Sequence, residues 1–140
     1  MNLNTSPVTD NITDILNRIL DFTERRKEIL TRNLFDYRNP DFKPCDLPVH
    51  EFAGALTRAV AEHVQNKRLV LEDSQNVQFL DQGDFVAVAV TDSQAHQLLN
   101  EDTQAYINQQ IQKMSENMIH NRIACELLRQ KRQKELQLAS

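Results

Sequence analysis

Between residues 101 and 136 the chain contains neither glycine nor proline, and its apolar residues return every three or four positions. A stretch so long without a turn signal reads as one continuous helix. Ile107, Ile111, Met114, Met118, Cys125 and Leu128 follow one another at steps of four, three, four, seven and three. The longest step passes over Asn121, which completes a heptad register, so the pattern is a coiled-coil-like seam with one polar member. Ile119, Ile123 and Leu127 widen the stripe, and Cys125 reads as a small core residue. From Gln130 onward apolar groups thin out and fraying is expected.

A second stripe lies near the other end. Ile12, Ile15, Leu16, Ile19, Leu20, Ile29, Leu30 and Leu34 share a helix face, with Phe22 at its edge. Asp10 or Asn11 is placed to cap this helix, which leaves residues 1–10 as a disordered lead. The helix is expected to end near Tyr37, because Pro40 cannot extend the hydrogen-bond ladder and pushes Asn39 out of the α region. Neither long helix is stable alone, so each needs the other's stripe. The expected packing sets Ile12, Ile15, Ile19 and Leu30 against Ile111, Met114, Met118 and Leu128, with Ile107 at the end of the seam.

The segment between them is different in kind. Phe52, Leu56, Val60 and Val64 recur every fourth residue, which predicts a shorter helix over 49–65. The β-branched runs at 77–80 and 85–90 flank Asp81-Gln82-Gly83-Asp84, a hairpin turn in which Gly83 can supply a positive φ. Two or three strands are marginal alone, so residues 66–92 form a hairpin or irregular insert that must lean on something else. The fold expected is mainly α, with one elongated domain over 11–140. Two long terminal amphipathic helices, over 11–37 and 101–136, form a coiled-coil-like pair, with a short helix and a small β-hairpin or irregular insert between.

Composition agrees with narrow apolar stripes: of 140 residues none is Trp, and only six are Phe and two Tyr. A formal net charge of −4 gives no general drive toward nucleic acid. No apolar run approaches the length of a membrane span, and residues 1–10 lack the charge and hydropathy pattern of a cleavable signal. Cys45 and Cys125 form no metal or redox motif. None of the four histidines, His50, His63, His96 and His120, is paired at i,i+3 or i,i+4 with another His or Cys. Two glycines are too few for a phosphate-cradling loop, and no nucleophile motif is present. The expectation is a non-enzymatic chain with no metal and no cofactor.

The stretch ERRKEILTRNLFDYRNPDFKPCD, residues 24–46, resembles the N-terminal signature of flagellar basal-body rod proteins. In that signature a helix runs into L-A-x-N-I-A-N-x-x-T-P-G-Y-K-x-x-D. Leu30 takes the leucine, Asn33 the first asparagine, Leu34 the isoleucine and Asp36 the second asparagine. Pro40, Phe42, Lys43 and Asp46 take the proline, tyrosine, lysine and final aspartate. Phe35 stands in place of a small alanine, Asn39 in place of threonine and Asp41 in place of glycine. Near the other end, IQKMSENMIHNR is similar to the family's second helix, with Ile111 and Met114 at its apolar positions and Asn117 at its asparagine. Gln110 stands where glutamate is usual and Asn121 where tyrosine is. Ala105 and Tyr106 replace a V-D pair.

The resemblance covers about residues 12–60 and 100–130 and points to the short, proximal-rod type. It implies a structural subunit of the periplasmic rod, exported through the flagellar type III apparatus with its N-terminus uncleaved. Its partners would be other rod and basal-body proteins and copies of itself. Asn33, Pro40 and Phe42 would shape the turn leaving the first helix. A cytosolic helical adaptor or secretion chaperone, binding a partner helix along the same stripe, explains the periodicity equally well but not residues 33–43. A small hairpin-containing enzyme subunit completed by a partner is a third reading.

Overall fold

The computed structural model describes residues 7–139 and is mainly helical. Helix α1 (Pro7–Phe35) leads through the two-residue strand β1 (Cys45–Asp46) into α2 (Val49–Asn66). Strands β2 (Val77–Phe79), β3 (Phe85–Ala87) and β4 (Val90–Thr91) follow, then α3 (Ser93–Glu101) and α4 (Thr103–Ala139). The two long helices, α1 and α4, pack against each other antiparallel. Asn33 meets Gln110 at one end, and Leu16 meets Ala124 and Leu128 toward the other.

Several boundaries differ from the sequence expectation. Helix α1 already runs at Pro7, ahead of the caps foreseen at Asp10 or Asn11, because proline suits a first helical turn. Residues 1–6 of the expected disordered lead lie outside the described residues. The helix stops at Phe35 and leaves through stacked turns, Asp36 N–H to Arg32 O and Asn39 N–H to Asp36 O. Asn39 closes the corner by accepting the Asp41 N–H on its side chain, and Asp41 needs no left-handed backbone angle. The C-terminal helical stretch is broken once. Asp102 is extended, ends α3, and caps α4 by accepting the Ala105 N–H.

The hairpin forms where the turn chemistry predicts it. Val77 pairs with Ala87 and Phe79 with Phe85, across a turn in which Gln82 and Gly83 both have positive φ, +60° and +79°. The short β1–β4 pair, Cys45 with Thr91 and Asp46 with Val90, has no signal of its own in the sequence.

The hairpin leans on α1. Its carbonyls are held by arginines: Arg18 donates to Asp84 O and Leu80 O, and Arg25 to Phe85 O at 2.9 Å. Asp14 and Asp21 orient those two guanidinium groups from one turn away. Beneath them Phe22 stacks on Phe52 with centroids 4.1 Å apart, and Phe85 tilts against Phe52 at 5.1 Å. Ile15, Leu47, Leu56, Ala59 and Val77 complete this core between α1, α2 and the hairpin.

Phe52 contacts three aromatic rings in that core. Truncating it, Phe52→Ala, should therefore cost about 3–5 kcal/mol. The check is a urea unfolding curve, in which the midpoint falls.

Candidate functional site

Burying one face of α4 against α1 is the event that defines this molecule's surfaces. The buried residues of α4 are Tyr106, Gln110, Asn117, Ala124 and Leu128, with Asn121 half-buried between them. Their spacing is as heptad-like as that of the apolar set, but most lie one residue earlier. Each residue advances a helix by about 100°, so the seam sits roughly a quarter turn away from the stripe expected from hydropathy.

Polar bonding sets that rotation. Asn33, 2% exposed, donates to Cys45 O at 2.8 Å and to Gln110 Oε1 at 3.0 Å, and accepts the Cys45 N–H. The Tyr106 hydroxyl donates to Asn33 O at 2.7 Å. Two turns along, Asn117, 3% exposed, donates to Thr23 O, and Asn121 donates to the Thr23 hydroxyl. Thr23 Oγ1 in turn donates back to carbonyls of its own helix. Small Ala124 then allows close approach, and Leu16, Ala124 and Leu128 end the seam in an apolar patch.

A charged cluster fastens the insert beside this seam. Arg26 grips Asp46 with two bonds of 2.8 and 2.9 Å, and Lys113 reaches Asp92 at 2.6 Å and Asp46 at 3.7 Å. Burial pushes the Asp92 carboxyl up. The Lys113 ammonium and the Ala95 and Gln94 N–H groups outweigh it and hold the carboxyl below its ordinary value of 3.8. Burial, with a smaller push from Asp92, raises the Tyr106 phenol to about 12.

The sequence-predicted residues divide accordingly. Ile15 and Leu30 are buried, and Ile12, Ile19 and Leu34 are half-buried. Ile15 faces Phe22 and the hairpin core instead of α4, while Ile12 and Ile19 do reach the Leu128 patch. Asn33, Asn117 and Leu128 lie in the seam. Pro40 is exposed and Phe42 half-buried, both lining a surface cavity at the exit of α1. Ile107 and Met114 sit half-buried at the seam's edge. Ile111 and Met118 were expected to pack on α1, but they are 53% and 47% exposed. Cys125, read as a core residue, is exposed as well. These are corrections with one cause: the amides of Gln110 and Asn117 must be met if buried, and only the rotated seam meets them.

Hydropathy did not find Thr23, Tyr106, Gln110 or Ala124. The available signal was a polar set, Tyr106, Gln110, Asn117 and Asn121, at the same spacing as the apolar one. Among the described residues no group of three or more His, Cys, Asp or Glu is arranged to hold a metal ion. No described helix is long and apolar enough to cross a membrane.

Asn33→Ala should lower stability by about 3 kcal/mol, since it leaves Gln110 and the Cys45 N–H without partners. Chemical denaturation measures the loss. The Tyr106 phenol is raised, so its stabilising term is complete below pH 10 and fades as pH rises toward 12. In a Tyr37→Phe background, phenolate absorbance should therefore rise only near pH 12 and together with unfolding. For Asp92 the sign is opposite: its contribution is present above pH 3.8 and lost on further acidification, so Asp92→Asn should flatten the acid limb of the stability curve.

No protein-family model, no curated protein and no solved structure matches this chain.

Proposed function

We propose that the chain is a non-enzymatic structural subunit of a flagellar-rod-type assembly, held to its neighbours by the outer faces of the paired terminal helices. The observation that carries this reading is what the polar seam leaves outside. On α4 of the free chain, Ile111 and Met118 flank the seam on one side. Ile119, Ile123 and Leu127 form a second, outward stripe, with Ile123 at 52% exposure. A helix apolar on several sides is one that a larger structure covers. Each such side chain contributes roughly 1.5–3 kcal/mol when fully buried.

The family resemblance points the same way. The two asparagines it singles out, Asn33 and Asn117, are both buried and both bond across the seam, as a pattern of architectural residues requires. On this reading the chain is exported through the flagellar type III apparatus and works in the periplasmic rod beside other basal-body proteins and copies of itself.

One observation favours the alternative of a cytosolic adaptor or secretion chaperone. Helices α2 and α4 leave an apolar cleft of about 270 Å³ over α1, lined by Ile19, Phe22, Val49, Phe52 and Leu56. Its floor is the core itself, and it has room for apolar side chains projected from a partner's helix.

Mass spectrometry of purified hook–basal-body particles separates the two. The expected result is this chain in an amount comparable with other rod proteins. Its absence while those proteins are present moves the assignment to the adaptor. Ile119→Asp with Ile123→Asp should leave the helical content unchanged and abolish incorporation; unchanged incorporation would exclude this stripe as the contact.

A further inference from the structure

The two ends of the α1–α4 pair carry complementary features. At one end α1 exits and α3 meets α4, and a cavity of about 330 Å³ opens there. Tyr37, Pro40, Phe42 and Leu99 supply its apolar lining. His96 also lines it, and its Nδ1 is buried with no hydrogen-bond partner among the described residues. Asp36, Asp41, Glu101 and Asp102 are exposed next to the lining residues, and none takes part in an ion pair among the described residues. Arg38 also lines the cavity, over the Tyr37 ring, and Lys43 is exposed beside Phe42, so these four carboxylates face two cations and the rim keeps a net negative charge.

At the opposite end of α4, Leu136 and Leu138 are 71% and 87% exposed. Arg129 pairs with Glu126 and Lys131 with Glu135, which leaves Arg132 and Lys134 as cations without an ion pair among the described residues. The 37 residues of α4 set these features about 50 Å apart, at 1.5 Å per residue, so one chain cannot bring them together.

We infer that a second copy of this chain occupies the cavity: the Leu136–Leu138 end of α4 seats against Tyr37, Phe42 and Leu99 of the next copy, with Arg132 and Lys134 facing its acidic rim. The cavity volume accommodates leucine side chains, and the charges at the two ends are opposite in sign. The surfaces are different, so the contact is heterologous and repeats head to tail from copy to copy, as an open filament or, where the rotation closes, a ring. This rests on the assembly reading above and gives it a polarity, since every copy offers a cationic tail to an acidic head.

Sedimentation velocity of the full chain tests it at concentrations up to about 1 mM, where even a millimolar contact is substantially formed. The parent should associate at low salt and less so as salt screens the rim. Tail reversal, Arg132→Glu with Lys134→Glu, should weaken association at least about tenfold, as should head reversal, Asp36→Lys with Asp41→Lys. Leu138→Asp should do the same, and circular dichroism should show all of these variants folded. Mixing head-reversed with Leu138→Asp chains should stop at dimers, because each retains one working end. Variants that associate as the parent does would overturn this contact while leaving the assembly reading in place, as would growth of the mixture beyond dimers. A parent that stays monomeric overturns the contact too, and the basal-body measurement then decides the assembly reading separately.

Discussion

The rest of the structure depends on the saturated amide of Asn33. A carboxamide buried between two helices is costly unless both its N–H groups and its oxygen find partners. Here they find three: the carbonyl and N–H of Cys45 and the side chain of Gln110. One side chain thereby ties the end of α1 to the segment that leaves it and to α4. The Tyr106 hydroxyl, bonded to Asn33 O, closes the same knot from the other side. Hydrophobic contact is tolerant of rotation, whereas these bonds are not, so polar groups set the orientation of α4 and apolar groups at Leu16, Ala124 and Leu128 add adhesion.

That division of labour explains the surface. If Ile111 and Met118 had filled the seam, the helix pair would be self-sufficient and the amides of Gln110 and Asn117 would face water. The reverse arrangement spends the polar residues inside and leaves apolar ones at the surface. The insert follows the same logic on a smaller scale. Asp46 lies in β1 and Asp92 directly follows β4, a pair of two-residue strands too short to be stable, and Arg26 and Lys113 hold them down.

Much of the architecture was legible in the sequence because local signals decide it. Periodicity marked both long helices and the one over Val49–Asn66, Pro40 marked the exit from α1, and Gly83 marked the hairpin turn. The seam was not legible from hydropathy, since two helical faces of α4 carry the same spacing and the rule prefers the apolar one. Asn33 and Asn117 were identified through family resemblance, and burial gives each a partner across the seam. The pairing of Asp46 with Val90 arises from contacts distant in sequence, which no local pattern encodes, whereas the break at Asp102 is a local cap that apolar periodicity passes over.

The arginines that grip the hairpin have a consequence for crowding. A two-stranded ribbon with outward valines, such as Val86 and Val88, is a template for stacking into fibrils when its edge groups are free. Here Arg25 occupies the Phe85 carbonyl, and the Asp73 carboxylate occupies the Phe79 N–H on the other strand. In the assembly proposed above, many copies would lie close together while these two bonds obstruct amyloid-like growth along the ribbon, leaving the helix faces as the route by which they would join.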